Sequence, residues 1–286
     1  MKIIKYIDTG FGLKPFFNFI ESYRDDIKFI EDKNNNRFIF DGEGIYRYHR
    51  DYGPDIVKIT YLDENHRVDL SKNVINSVYH EGYKKFYRFN LEFIRPIISF
   101  IQARGKDTLL GIRKKDIIKQ ANGSTEFACC FIKNNSAQHR LRGIKYINDN
   151  YKPVINLHCT SGYLQGDFYP RLNEKIDLSA RYKFLFCMEN SIGDNYNTEK
   201  LPEASLTSAI PVYWGDNNDF LNNVINKESY IHLDKNTGFS SWIDQIKHVD
   251  DDNDAYKHII NQKIFLSVDP VYEQLDGLVN FLTDFL

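Results

Sequence analysis

Two apolar runs frame this chain. Phe184 to Met188 and Ile210 to Trp214 contain no charge, the pattern of strands covered on both faces in a parallel sheet. Between them a polar loop from Glu189 to Thr198 precedes a segment rich in helix formers, the order of a β-loop-α-β crossover. Pro202 fits only a first helical turn, where its missing N–H has no partner to lose, so the helix starts near Glu199 or Lys200. Both residues then stand at a helix N-terminus just past the carboxyl end of a strand. In open α/β sheets ligands bind there, and free N–H groups beside a Lys suit a phosphate.

The same pattern extends in both directions. Lys2 to Ile7 predicts a first strand, Phe16 to Tyr23 a helix, Asp32 to Arg37 a polar loop, and Phe38 to Phe40 a short strand closed by Asp41-Gly42. Ile56 to Tyr61 predicts a strand that runs into the polar stretch Leu62-Asp63-Glu64-Asn65-His66, and Asn73 to Glu81 a further one. Phe127 to Ile132, Tyr151 to Leu157 and Tyr230 to Leu233 also read as strands, Phe239 to Val249 and Val271 to Leu286 as helices. Alternation of this kind makes an α/β protein. Arg95 to Asn122 is basic and mixed and reads as a solvated hinge or linker; no aromatic residues interleave with its charges from 102 to 122, which argues against a polyanion site. The turn with Gly10 and Gly12 lacks the third glycine of a dinucleotide fingerprint and reads as a loop. Asp250 to Asp254 offers a carboxylate pair of the kind that holds Mg²⁺ or Mn²⁺ beside a diphosphate, but helix capping and a hydrated acidic loop are the preferred reading.

Composition narrows the function classes. A chain of 286 residues has room for two domains, and 42% hydrophobic with 27% charged residues is ordinary for a soluble globular protein, although 15% aromatic is high. A formal charge of −2 gives no global basic field for nucleic acid. No apolar run approaches the roughly 18 residues of a membrane span, and the N-terminus lacks the apolar core of a signal peptide, so the expected location is the cytoplasm or the inner face of its membrane. Cys129, Cys130, Cys159 and Cys187 show no C-x-x-C spacing, and three of the four sit in apolar runs, so they are expected reduced and buried.

The stretch from Tyr182 to Asp216 closely resembles the signature of glycosyltransferase family 10, the α1,3/α1,4-fucosyltransferases. That family carries a strand ending in F-E-N, a loop, Y-x-T-E-K, a helix and I-P-V/I-Y-W-G. The matches here are Glu189, Asn190, Tyr196, Thr198, Glu199, Lys200 and Ile210 to Gly215, with no gap from Glu189 to Lys200. Weaker likenesses lie upstream. Tyr61, Glu64 and Asn65 match the family's Y-T-G-E-N, with Leu62 and Asp63 departing from Thr-Gly; Arg88 keeps the inner Arg of R-Y-x-R-x-P-L-Y, with Asn90 in place of Pro. Asn134 or Asn135, Ser136 and Arg140 resemble S-N-x-x-A-x-x-R. Arg142 is the rival to Arg140, which places Ile147 at an apolar helix position. After Leu157 the family's G-G-x-x-x-N loop is replaced by H-C-T-S-G-Y-L-Q-G.

The resemblance implies a GT-B-like α/β fold, two Rossmann-like domains facing a cleft. Residues 1–115 would form an acceptor-binding domain carrying the base, 116–268 the nucleotide-sugar domain, and 269–286 a helix that crosses back to the first domain, lies on a membrane or joins a dimer. It further implies an inverting transfer of fucose from GDP-fucose to a glycan, of the bacterial type. Glu64 would be the base; Arg140 and Lys200 would stabilise the diphosphate, with Glu189, Asn190, Tyr196 and Glu199 on the nucleotide side and Asn65 and Arg88 toward the acceptor. No metal or other cofactor would be essential, since the cations do a metal's work. The rival expectations are a related enzyme using another nucleotide sugar, and a non-catalytic carbohydrate-binding protein that keeps the fold.

Overall fold

The apolar runs become the inner strands of two parallel sheets. The computed structural model describes residues 1–8, 13–32, 38–42, 57–62, 73–76, 85–120, 126–133, 137–157 and 172–284. The first sheet comprises β1 (Lys2–Asp8), β2 (Ile27–Glu31), β3 (Phe38–Gly42), β4 (Val57–Leu62), β5 (Asn73–Asn76) and β6 (Lys85–Arg88), in the order β2-β1-β3-β4-β5-β6. The second comprises β7 (Glu126–Cys130), β8 (Val154–Asn156), β9 (Tyr182–Met188), β10 (Ile210–Trp214) and β11 (Ile231–His232), in the order β11-β10-β9-β7-β8. Every pairing among these strands is parallel. In both sheets the strand order reverses, between β1 and β3 in the first and between β7 and β9 in the second. At such a reversal the connections leave on opposite faces and open a crevice beyond the strand ends.

Strand β9 shows why its sequence admits no charge between Phe184 and Met188. Phe184, Phe186 and Met188 enter one apolar cluster with Ile147, Trp242 and Ile246. Tyr182, Leu185 and Cys187 face the other way, into a cluster that takes in Leu201, Ala204 and Leu206 and continues to the first sheet. Each large side chain so buried contributes roughly 1.5–3 kcal/mol, and a lone charge at any of these positions would remove more than that. Cys129, Cys130 and Cys187 form no disulfide and are buried in these clusters; Cys159 lies outside the described residues.

One expectation is corrected. Beyond the first helix, α1 (Lys14–Tyr23), the stretch from Arg95 is not a solvated linker but part of three helices, α2 (Leu91–Arg104), α3 (Lys106–Gly111) and α4 (Lys114–Gln120). Leu91, Ile94, Ile97 and Ile98 recur at helical spacing and are buried, and Pro96 lies inside α2, where its missing N–H forfeits the backbone bond to the Glu92 carbonyl. Of the charges in this stretch, Arg104, Lys106, Asp107 and Asp116 are exposed, whereas Lys114 is buried. The edge strand β2 was not anticipated; its short alternation of buried and exposed residues is a weak signal. The Asp250–Asp254 run behaves as a cap: Asp252 accepts from the N–H groups of Asp254 and Ala255 at the start of the helix Asn253–Asn261, while Asp250 binds Lys152 and Lys183.

The last helix, Asp269–Thr283, lies against the first sheet. Tyr87 at the end of β6 stacks on Phe281, and its hydroxyl donates to the Gln274 carbonyl at 2.5 Å. The Asn90 N–H donates to the Gln274 side chain at 2.8 Å, and Arg24 bridges Asp26 and Asp276. No helix among the described residues is long and apolar enough to cross a membrane.

Candidate functional site

Beyond the reversal of the second sheet, β7 and β9 lead into the two segments singled out by sequence. After β7 the helix α5 (Gln138–Asn150) carries Arg140, which is 3% exposed and donates through Nη1 to the Met188 carbonyl at 3.5 Å. Arg142 is exposed, whereas Ile147 is fully buried on the same helix, so Arg140 is the arginine that faces inward. Asn134, Asn135 and Ser136 lie outside the described residues.

After β9 the chain runs through residues 189–199 into a short helix, Lys200–Ser205. Glu189 is fully buried and fastens this loop. One carboxylate oxygen accepts from the Thr198 N–H at 2.8 Å and the Tyr213 hydroxyl at 3.4 Å, the other from the Thr198 hydroxyl at 2.7 Å and Lys200 at 3.2 Å. Tyr196 is buried as well, and Asn190 is half-buried. The Glu189 carboxylate is therefore directed inward, where it sets the position of Glu199 and Lys200.

A second polar set ties the loop to the turn after β10. Asn195 takes φ 67°, a conformation Asn tolerates, and its N–H donates to Asp216 at 2.8 Å. The Asn197 amide donates to the Tyr213 hydroxyl at 2.9 Å and the Asp216 carbonyl at 2.7 Å, and Asn218 donates to Asp216 and Asn197. Gly215 lets the strands close: a Cβ there would stand 2.2 Å from the Tyr213 hydroxyl and 2.8 Å from Glu189 Cγ.

Sequence reasoning missed Lys175. It lies on the helix Leu172–Ser179, is 4% exposed, and pairs with Glu203. Arg140, Lys175, Lys200 and Glu203 line one cavity together with Met188 and Ala204. Glu203 was legible in principle, since it stands four residues after Glu199 on the same helix face; Lys175 had no comparable signal.

The cluster shapes its own titration. Burial pushes the Glu199 carboxyl up, but Lys200 and Lys175 outweigh it and hold it down to about 2. Burial raises Glu203 above the usual carboxylate range, with Glu199 adding to the effect against Lys175. His139, next to Arg140, stacks on Trp214 at 4.0 Å between ring centroids, and burial lowers its pKa. Its Nε2 lies 3.2 Å from the Glu189 carbonyl, which can only accept, so the proton sits on Nε2. Three cations around one cavity at a strand-order reversal are suited to a diphosphate.

In the first sheet, Leu62, Asn76 and Arg88 end β4, β5 and β6 in one register row. Arg88 is exposed there. Glu64 and Asn65 follow Leu62 but lie outside the described residues.

Comparison with known proteins bears on this geometry. Residues 122–276 match the family model described as glycosyltransferase family 10 (fucosyltransferase), C-terminal part. The chain is 33% identical over 140 residues to the Cricetulus griseus 4-galactosyl-N-acetylglucosaminide 3-alpha-L-fucosyltransferase 9, a match covering 48% of this chain and 37% of that protein. It spans well under half the length of the curated relatives it matches first. Among solved structures, an alpha1,3-fucosyltransferase crystal structure superposes with a TM-score of 0.68 at 18% identity, covering 99% of this chain and 90% of that one. A second, described with GDP-fucose, gives 0.69 at 17%, covering 99% and 91%. The likeness places both sheets in the fold of these enzymes.

Proposed function

Since the chain belongs to glycosyltransferase family 10, we propose that it transfers L-fucose from GDP-β-L-fucose to a hydroxyl of an acceptor glycan, with inversion, forming an α1,3 or α1,4 linkage. The observation that carries this reading is the convergence of Arg140 and Lys200 on one cavity at the β7–β9 reversal. Solved structures of this fold are described with GDP and with GDP-fucose, which supports a guanine nucleotide as the donor's leaving group.

Displacement at a sugar carbon needs a base for the incoming hydroxyl, positive charge for the departing diphosphate, and a site that limits water. In this proposal Glu64 removes the proton as the acceptor oxygen attacks C1 from the face opposite the diphosphate. Asn65 and Arg88 orient the acceptor. Arg140 as a planar fork and Lys200 as a point charge stabilise the negative charge that grows on the diphosphate. Glu199, held ionised by its lysine neighbours, accepts hydrogen bonds from the ribose hydroxyls, with Asn190 and Tyr196 shaping that side. These cations make a divalent metal unnecessary.

Purified protein incubated with GDP-fucose and N-acetyllactosamine should release GDP and yield an α-linked fucosyl product, its position read by NMR, at a rate unchanged by excess EDTA. Glu64→Ala should slow transfer by about 10²–10⁴-fold, the usual contribution of a general base. Transfer at near the original rate would remove the base assignment, and preference for another nucleotide sugar would replace the donor.

A further inference from the structure

Lys175 has no place in the mechanism above, yet it is among the most deeply buried cations of the described residues. A buried lysine is costly unless its charge is matched, and Glu203 supplies a match from the next helix. Packing alone would be served as well by an apolar pair of similar volume. The position of the pair argues otherwise, because Lys175 and Glu203 line the same cavity as Arg140 and Lys200. Glu203 also belongs to the helix that begins at Lys200, and Lys175 acts electrostatically on Glu199 across this space. Three cations, Arg140, Lys175 and Lys200, and the carboxylate Glu203 line the cavity, while Glu189 and Glu199 pair with Lys200. Glu189 is occupied by Thr198, Tyr213 and Lys200. Glu203 is thus the carboxylate whose hold on Lys175 a diphosphate would have to contest.

We propose that Lys175 is a third cation of the donor site, shared between Glu203 and the donor's diphosphate, so that Glu203 sets how much of its charge the nucleotide receives. The assignment rests on the fucosyltransfer reading for the identity of the ligand. It deepens that reading by making donor affinity a competition between a carboxylate of the chain and the diphosphate. No bond is made or broken at Lys175, which acts by charge and hydrogen bonding alone.

The competition separates this role from a structural one. Calorimetric titration with GDP should show Lys175→Met binding about tenfold or more weakly than the unmodified protein, the loss expected for one charge-assisted hydrogen bond. Lys175→Arg should stay within about threefold. Glu203→Gln should bind GDP at least as tightly, and more tightly if the contest is strong. A purely structural pair would instead give weakening of the same sign from both single substitutions. The double variant Lys175→Met with Glu203→Gln leaves no unpaired buried charge, so it should fold even where Lys175→Met alone does not. It is expected to keep its melting temperature near that of the unmodified chain while binding GDP about tenfold more weakly. A folded double variant with unchanged GDP affinity would overturn the assignment and leave the donor reading intact. Unmodified protein that failed to bind GDP at all would instead sink the donor reading, and this inference with it.

Discussion

A methyl group on residue 215 has nowhere to go, since its position lies 2.2 Å from the Tyr213 hydroxyl and 2.4 Å from Tyr213 Cζ. Tyr213 belongs to the network that fastens Glu189 and Asn197. Gly215→Ala should therefore lose about 3 kcal/mol in urea unfolding, the upper range for overpacking, and weaken nucleotide binding as the loop shifts. An unchanged midpoint would mean that Tyr213 moves aside freely. Glu199 gives a pH-dependent counterpart. Its carboxyl is held at about 2 in the fold against an ordinary value of 4.5. The unfolded chain then binds the extra proton between those values, so the stability contributed is complete above about pH 4.5 and is lost as pH falls toward 2. Glu199→Gln should flatten the acid limb of the stability curve in that window. An identical limb would show that the lysines do not favour the ionised form. Arg140, Glu199 and Lys200 were legible in the sequence because an ordered motif fixes their spacing to a strand and a helix. Lys175 was not, because it meets Glu203 only through tertiary packing.

Helices and strands were legible in proportion to how strictly burial constrained them. The inner strands β9 and β10 are covered on both faces and show it as unbroken apolar runs. The edge strand β2 carries only a faint alternation, and α2 was hidden behind the charges on its exposed face. The misread segment nonetheless supports the site. Lys114, at the start of α4, is wholly buried and donates to the carbonyls of Ala204, Ser205 and Thr207 at 3.2, 2.9 and 2.7 Å. Ala204 and Ser205 end the helix that begins with Lys200 and Thr207 lies two residues past it, and burial draws the ammonium down to about 7. Lys114→Met would take this donor from the Ser205 and Thr207 carbonyls, while Ala204 keeps the Thr207 hydroxyl at 2.8 Å, and should destabilise the protein by about 3 kcal/mol, read by thermal unfolding. A neutral result would mean that other donors reach them. The last helix gives a parallel case at Gly277, where a Cβ would stand 2.2 Å from the Tyr87 hydroxyl. Gly277→Ala should break the Tyr87–Gln274 bond and lower stability by about 2 kcal/mol, with the last helix gaining fastest in amide exchange.

Across the whole molecule, each of the two parallel sheets reverses its strand order once, and the cationic cluster lies at the reversal of the second. That organisation was legible because alternating strands and helices leave few ways to build a parallel sheet, and because right-handed crossovers fix which ends meet. The join between the sheets was not legible, since its apolar positions had been read as a tether. The account stands on the claim that Arg140 and Lys200 hold the diphosphate of a nucleotide sugar at this reversal. Calorimetric titration of GDP-fucose into the unmodified chain and into Lys200→Ala tests it most directly. Saturable binding in the first, weakened by about tenfold or more in the second, is the predicted result. Equal affinity in a folded Lys200→Ala protein, or no binding to either, would contradict it.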